Sequence, residues 1–281
     1  MDKIVKVEFN SEFFNVKDTL ECGQVFRFIP FKEGYKVFSL DKCCYCYNKG
    51  EKAIIECFES EKEYFINYFD LERDYKSIYN SALNEEDILS NCAKLGKGIR
   101  ILNQDIVETL ISFIVSQNNN IPRIKKILEK LCFELGEKRT QFNDTYYTFP
   151  SISRMASENV EFYRSIGLGY RAEYVKRLVV AINDGLDIKS FSNLSSSELK
   201  KRLIKIHGVG PKVADCVMLF GFHKSDSFPV DTWIEKVYRE NFNGKLKDRE
   251  KIAKYFTDRF KDKSGYYQQY LFYYKRSLEQ K

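Results

Sequence analysis

The feature that most constrains the fold is a pair of helical segments separated by only four residues, within the stretch 195–220. Ser195 and Glu198 have the spacing of a capping box, which predicts where the first helix begins. The turn is His207-Gly208-Val209-Gly210, whose two glycines are free to take positive φ angles. Pro211 suits the first position of the second helix. Two apolar stripes would hold the helices together: Leu199, Leu203 and Ile206 in the first, and Ala214, Val217 and Phe220 in the second. The segment therefore predicts two helices joined by a tight hairpin.

This hairpin is a candidate anion site. Gly208, Val209 and Gly210 precede a helix N-terminus, where exposed backbone N–H groups and the helix dipole attract negative charge. A DNA phosphate fits such a site, and a phosphate contact positions DNA without recognising its sequence. The chain has 46 Lys and Arg against 40 Asp and Glu, and its net charge of +6 permits a nucleic-acid partner without requiring one.

Lys212 lies in the first turn of the second helix, where the dipole disfavours a cation. Two interpretations stay open: a solvated lysine that contacts phosphate, or an amine that the dipole and partial burial keep neutral and nucleophilic. Asp231 follows nineteen residues later and is placed to cap the next helix. Capping alone explains Asp231, but one helix and one loop can also bring its carboxylate to the same cleft as Lys212.

Hydrophobic periodicity divides the chain into a strand-rich front and a helical remainder. Alternating patterns predict an antiparallel sheet with strands at 4–9, 25–31, 34–40, 43–48 and 53–58. A helical stretch follows near 60–70. Further helices are predicted within 105–117 and 121–136, and near 157–165, 171–184, 195–206, 211–221, 231–241, 247–260 and 265–278. We therefore predict an α+β protein with a β-rich N-terminal domain over 1–95 and an all-α domain over 96–281.

Composition and cysteine spacing indicate a packed intracellular protein. The chain is 43% hydrophobic and 15% aromatic, it begins with charges where a secretory signal is apolar, and no run approaches the roughly 18 apolar residues of a membrane span. We therefore expect the eight cysteines to be reduced. Cys43, Cys44 and Cys46 are close together, but no second pair has a zinc or iron–sulfur spacing, so packing in a strand is favoured over a metal site.

The array GVGPKVADC…FPVDTW resembles the helix-hairpin-helix, Gly/Pro-Asp (HhH-GPD) superfamily of DNA glycosylases. Within it the chain is most similar to the 8-oxoguanine DNA glycosylases, from about residue 15 to residue 275. Four further motifs carry this resemblance in the same order: ECGQVFRF at 21–28, SQNNNIPRI at 116–124, GLGYRAEYV at 167–175 and GYYQQYLF at 265–272. The resemblance implies that Lys212 is the nucleophile and Asp231 the catalytic carboxylate. It also implies damaged double-stranded DNA as the partner, no metal and no cofactor.

The resemblance further implies a pocket for a base that is flipped out of the DNA stack. The Gly23 carbonyl would accept the N7 hydrogen of 8-oxoguanine, which guanine lacks. Cys216 and Phe272 would sandwich the base and Gln268 would bind its Watson–Crick edge, so the C-terminal helix would complete the pocket. From the residues alone, a turn glycine, a small buried cysteine and a core aromatic explain Gly23, Cys216 and Phe272 equally.

Four residues resemble those that act on the opposite strand. Asn118 and Tyr170 would fill and wedge the gap, and Arg123 and Arg171 would bind the orphan cytosine. The run 118–120 is also explained as a helix junction and N-cap. Trp233 departs from the family pattern, because many relatives have a histidine there near the 5′ phosphate of the lesion. That contact is either lost or made by another group.

The implied reaction is excision of 8-oxoguanine opposite cytosine, followed by β-elimination through a Schiff base on Lys212, by a monomer. The sequence does not determine whether hairpin carbonyls hold a monovalent ion, as in relatives. Two alternatives stay open. A glycosylase for alkylated bases would share the fold, although such relatives typically lack the lysine. A non-catalytic DNA-binding module would explain the hairpin and the charge but not Lys212 together with Asp231.

Overall fold

The computed structural model describes residues 3–85 and 87–279. The N-terminal part of the chain forms one antiparallel sheet of five strands. Its strands are β1 (Ile4–Asn10), β2 (Phe28–Phe31), β3 (Gly34–Ser39), β4 (Lys42–Lys49) and β5 (Lys52–Phe58). They lie in the order β1-β5-β4-β3-β2, as the predicted antiparallel sheet requires. Residues 25–27 were predicted in this strand but precede β2. The Arg27 carbonyl still accepts the Phe38 N–H of β3 at 3.0 Å, while its side chain contacts the helical part of the chain.

Two short helices, α1 (Val16–Glu21) and α2 (Lys62–Tyr68), share one apolar core with the sheet. The helices contribute Leu20 and Phe65, and the strands contribute Cys44, Cys46 and Ile55. Successive strand residues point to opposite faces, so Tyr45, Tyr47 and Ile54 form a separate cluster on the other side. All eight cysteines are buried, and within the described residues none of them forms a disulfide.

The helical part contains the predicted helices and several that were not predicted. The helices are α3 (Tyr75–Leu83), α4 (Asp87–Leu95), α5 (Ile106–Ser116), α6 (Ile121–Leu135), α7 (Ile152–Ser157), α8 (Val160–Ser165), α9 (Arg171–Asn183), α10 (Ser196–Ile204), α11 (Pro211–Phe220), α12 (Thr232–Asn241), α13 (Arg249–Phe260) and α14 (Ser264–Glu279). One hairpin, β6 (Lys138–Gln141) with β7 (Asp144–Tyr147), interrupts the part predicted as all-α. Within the described ranges, no helix is long and apolar enough to span a membrane.

Helices α3 and α4 precede residue 96 but pack with the helical part. Tyr75, Ile78 and Leu89 belong to the same core as the residues of α5 and α11, and α4 packs against α14. The division of the chain at 95/96 stays a prediction.

Helix α5 is buried on all sides rather than on the single face that its periodicity predicts. Every residue from Glu108 to Val115 is buried, because α6, α9 and α11 all pack against this helix. A helix that is surrounded in this way needs apolar residues around its whole circumference. Its single buried charge, Glu108, therefore requires a partner.

Arg27 is that partner, and the pair joins the sheet to the helical part. Arg27 Nη1 donates to Glu108 Oε1 at 3.0 Å, and Arg27 Nη2 donates to the Tyr147 carbonyl at 3.0 Å. The second Glu108 oxygen accepts the Leu40 N–H at 2.7 Å. Burial raises the pKa of Glu108, and the Arg27 charge opposes this rise. The two charges are thus stable only as a pair.

Replacing Arg27 with methionine should lower the free energy of unfolding by about 3–5 kcal/mol, because Glu108 would remain as an unpaired buried charge. Urea denaturation at pH 7 measures this. Arg154→Met is the control, since Arg154 pairs with Glu158 on the surface and should contribute less than about 1 kcal/mol. Equal losses in the two variants would contradict the role of Arg27 as the partner that the buried Glu108 requires. The double variant with Glu108→Leu should recover most of the loss.

Candidate active site

The hairpin between α10 and α11 has the predicted form. Ser195 and Glu198 make a complete capping box at the start of α10. Gly208 has φ +87°, and a Cβ on it would collide with the Tyr174 ring, so the conformation and the packing both require glycine. Gly210 instead has φ −86° and is the N-cap of α11. Only the first of the two glycines therefore uses positive φ.

The N-terminus of α11 presents backbone donors at the surface. The first intrahelical bond runs from Ala214 N to the Gly210 carbonyl at 2.9 Å, so the N–H groups of Gly210, Lys212 and Val213 precede the helical ladder. An open cavity of about 460 Å³ lies beside them, lined by the 204–210 segment, Gln117 and Tyr174. Unused donors at the positive end of a helix suit an anionic ligand.

Asp231 caps α12, as predicted. Its Oδ1 accepts the N–H groups of Trp233 and Ile234, each at 3.0 Å. Burial raises the pKa of Asp231, while these hydrogen bonds and the nearby Lys212 charge act in the opposite direction. The capping bonds fix the carboxylate at the N-terminus of α12.

All six residues predicted for the reaction and the base pocket line one small cavity. They are Gly23, Lys212, Cys216, Asp231, Gln268 and Phe272, and the cavity is also lined by Cys22, Phe113, Phe220, Pro229 and Gln269. Its volume is about 50 Å³, whereas a site that holds a small molecule typically has at least about 300 Å³. A purine therefore cannot bind until a lining side chain moves. The half-buried Phe272 is placed to do so, because its ring lies against Gly23.

Gly23 has φ +91° and lies at the wall of this cavity. Its neighbour Gln24 is fully buried and donates from Nε2 to the carbonyls of Thr19 (2.9 Å) and Arg100 (2.7 Å). Gln24 Oε1 accepts the Leu102 N–H at 2.9 Å. These bonds hold the backbone that carries the Gly23 carbonyl. Gln24 was not predicted as a positioning residue, although it lies within the ECGQVFRF motif at 21–28.

The cavity contains two side chains that could act as nucleophiles, Cys216 and Lys212. Burial raises the pKa of Cys216 to about 11, so its thiol is protonated and packs as an apolar group at neutral pH. Lys212 Nζ lies 5.7 Å from the centre of the Phe113 ring, at the partly exposed end of α11. Burial of its thiol therefore disfavours Cys216 as a nucleophile.

The four residues predicted for the opposite strand lie on one surface. Tyr170 is 53% exposed, Asn118 is exposed with φ +46°, and Arg123 is exposed with Nη2 3.4 Å from the Gly167 carbonyl. Arg171, in contrast, is only 4% exposed. It donates from Nε to the Gln117 carbonyl at 2.7 Å and from Nη2 to the Asn118 carbonyl at 2.8 Å. To bind a base, Arg171 must exchange these carbonyls for it.

Gln117 connects this surface to the hairpin and was not predicted as a site residue. Its carbonyl accepts from Arg171, and its side-chain Nε2 donates to the Gly208 carbonyl at 2.9 Å. The helix junction and N-cap expected in this segment are present, since Asn120 Oδ1 accepts the Arg123 N–H at 3.0 Å. A polar residue between two helices signals a junction, but the sequence does not show which distant carbonyl it binds.

Trp233 is half-buried in the first turn of α12, next to Asp231. Lys236 Nζ lies 5.0 Å from the centre of its ring. The position that differs from the family pattern is thus occupied by an aromatic ring with a cation over it.

Comparison with known proteins agrees with this geometry. Residues 6–110 match the family model of the 8-oxoguanine DNA glycosylase N-terminal domain, and residues 111–262 match that of the HhH-GPD superfamily base excision DNA repair proteins. The N-glycosylase/DNA lyase of Saccharomyces cerevisiae is 29% identical over 274 residues, which cover 85% of this chain and 71% of the yeast protein.

Solved structures extend the similarity to the whole chain. The 8-oxoguanine glycosylase/lyase of Clostridium acetobutylicum, in complex with double-stranded DNA containing cytosine opposite 8-oxoguanine, is 35% identical with a TM-score of 0.92 and 99% coverage of both chains. The 3-methyladenine DNA glycosylase from Archaeoglobus fulgidus has a TM-score of 0.78 over 97% of this chain and 99% of its own, but at 17% identity it shares the fold alone. The chain therefore belongs to the 8-oxoguanine DNA glycosylase family, the N-glycosylase/DNA lyases within the HhH-GPD superfamily of base excision DNA repair proteins.

Proposed function

We propose that this protein excises 8-oxoguanine opposite cytosine from duplex DNA and then cleaves the abasic strand. The observation that carries the proposal is the single cavity in which Lys212 and Asp231 meet Gly23, Gln268 and Phe272. The similar Clostridium protein, whose structure contains DNA with this lesion pair, supports the choice of substrate.

Recognition of the lesion depends on the Gly23 carbonyl. 8-Oxoguanine has a hydrogen on N7, which this carbonyl accepts, whereas guanine has a lone pair there that the carbonyl repels. Phe272 moves from Gly23 to let the base enter, and the base then lies between Phe272 and the neutral thiol of Cys216. Gln268 binds the Watson–Crick edge.

The chemistry uses two groups. Lys212 Nζ attacks C1′ of the flipped nucleotide through its lone pair, the bond from C1′ to N9 breaks, and the base leaves with the electron pair and takes up a proton. The Asp231 carboxylate stabilises the positive charge that develops on the sugar. Loss of a proton from nitrogen and opening of the sugar ring give an imine between Lys212 and C1′. The imine withdraws electrons, so C2′ loses a proton and the bond from C3′ to oxygen breaks.

The opposite DNA strand is bound by the surface that includes Asn118, Arg123, Tyr170 and Arg171. Tyr170 and Asn118 are exposed and enter the gap that the flipped base leaves. Arg123 presents its guanidinium to the cytosine, and Arg171 joins it after releasing the carbonyls of Gln117 and Asn118. Of the predicted phosphate site Gly208, Val209 and Gly210, the Val209 N–H already donates to the Ile206 carbonyl at 3.0 Å. A phosphate of the same DNA is therefore bound at Gly208 and Gly210 and at the N–H groups that begin α11.

The proposal predicts selectivity for the opposite base that depends on Arg123. Single-turnover excision of 8-oxoguanine placed opposite each of the four bases should be fastest opposite cytosine. Arg123→Ala should reduce this preference about tenfold, since a bidentate arginine contact discriminates by about 1–3 kcal/mol. The control is Arg154→Ala, an exposed arginine on α7 that should leave the preference unchanged. Equal rates opposite all four bases in the unmodified protein would overturn the cytosine assignment.

A further inference from the structure

The base pocket contains a second glutamine. Gln269 lines the same cavity as Gln268 and is only 3% exposed. Neighbouring residues on a helix point about 100° apart, so both rarely face one cavity. Here their side chains are joined, because Gln269 Nε2 donates to Gln268 Oε1 at 2.7 Å.

A backbone carbonyl fixes the orientation of both amides. Gln268 Nε2 donates to the Pro229 carbonyl at 3.1 Å, and a carbonyl can only accept. Gln268 Oε1 must therefore face away from Pro229, toward Gln269, and Gln269 must present its amino group to it. Turning either amide around would place two acceptors against each other.

This arrangement leaves an acceptor without a donor. Gln269 Oε1 is buried and has no hydrogen-bond partner in the described part of the chain. Gln268 Oε1 accepts one bond and retains capacity for a second. Both residues line the cavity, so a ligand that enters it comes close to two amides with acceptor capacity. A buried acceptor without a donor is unfavourable until a donor reaches it.

Resting on the function proposed above, we propose that Gln269 is a specificity residue that accepts a hydrogen bond from the 2-amino group of the flipped base. A guanine-type edge carries two neighbouring donors, N1–H and the 2-amino group, which match the two amide oxygens. Gln268 Oε1 accepts N1–H, and Gln269 Oε1 accepts the amino group. An adenine-type edge presents an acceptor at N1 and meets repulsion instead.

The test compares two lesions that differ only in the 2-amino group: 8-oxoguanine and 8-oxohypoxanthine, each opposite cytosine in the same duplex. The unmodified protein should prefer 8-oxoguanine by about tenfold in kcat/KM, because a site built for an N–H group rejects the analogue that lacks it. Gln269→Met keeps the length of the side chain without its hydrogen bonds, and Gln269→Ala removes the side chain. Both should slow 8-oxoguanine excision about tenfold and change 8-oxohypoxanthine excision much less, so that the preference disappears.

The control is Gln141→Ala. Gln141 is also 3% exposed and also has a buried amide without a partner in the described residues, but it lies on β6 and does not line the cavity. Its loss should leave the preference intact. A Gln269→Met protein that slows both lesions equally, or that keeps the preference, would overturn the inference while base excision stands. Failure of the unmodified protein to release either base would instead refute the proposed function.

Discussion

Lys212→Gln is expected to abolish covalent trapping on DNA and to slow base excision on the order of 10³-fold or more, because the variant has no nucleophilic amine. Glutamine approaches lysine in length, so the packing of α11 should be retained. Binding to lesion-containing duplex should change little, since the N–H groups of the hairpin remain. Single-turnover kinetics with 8-oxoguanine opposite cytosine measure the loss, and gel-shift titration measures the binding.

Lys125→Gln is the matched control for this prediction. Lys125 is also partly buried against an aromatic ring, with Nζ 3.4 Å from the centre of the Phe28 ring, but it lies on α6 and does not line the cavity. The Lys125→Gln protein should excise 8-oxoguanine at the normal rate. An Lys212→Gln protein that still releases the base within about tenfold of the normal rate would assign Lys212 to phosphate binding instead.

Asp231→Asn should lower the rate of excision about 10²–10³-fold while leaving the fold intact. Asparagine caps a helix as well as aspartate does, so the bonds from Trp233 and Ile234 are kept and only the charge is removed. The excision rate and the melting temperature measured on one preparation separate the two roles of this residue. Asp248→Asn is the control, because Asp248 caps α13 in the same way outside the cavity. A similar loss of activity in both variants would contradict a catalytic carboxylate.

The pKa of Asp231 gives this prediction a dependence on pH. Because burial raises that pKa above its ordinary value of 3.8, the folded state holds this proton more tightly than the unfolded chain does. Protonated Asp231 therefore contributes favourably to the free energy of unfolding. This contribution is complete below pH 3.8 and is lost as the pH rises through the pKa of Asp231 in the folded state. At neutral pH, Asp231→Asn should therefore melt at a slightly higher temperature than the unmodified protein. Activity should show the opposite trend and rise with pH as Asp231 ionises.

The positions of Lys212 and Asp231 were predictable because they follow from local rules. A capping box, a glycine at a tight hairpin and a proline at the first helical position fix where Lys212 stands, and an N-cap fixes Asp231. The capping interpretation of Asp231 and the catalytic one are compatible, because one carboxylate both caps α12 and lines the cavity. Family membership removes the non-catalytic alternative that the hairpin alone left open.

The remaining features depend on contacts between distant segments. Periodicity in α5 predicts one buried face, but the neighbours that bury its other faces come from α6, α9 and α11. Arg171 was predicted to face the cytosine, yet its guanidinium is held by the carbonyls of Gln117 and Asn118, to which no local pattern points. Gln269 stands beside a predicted pocket residue, but helical geometry alone would place it on another face. Helix α3 was not predicted, although its buried residues Tyr75, Ile78 and Ala82 have helical spacing.

Borohydride trapping tests the central claim most directly. The protein is mixed with a duplex that contains one 8-oxoguanine opposite cytosine, and borohydride reduces any imine to a stable bond. A covalent protein–DNA band that is present in the unmodified protein and in Lys125→Gln, but absent in Lys212→Gln, would establish the Schiff base and its lysine. Release of the free base without a band, or a band that persists in Lys212→Gln, would contradict the assignment of Lys212 as the nucleophile.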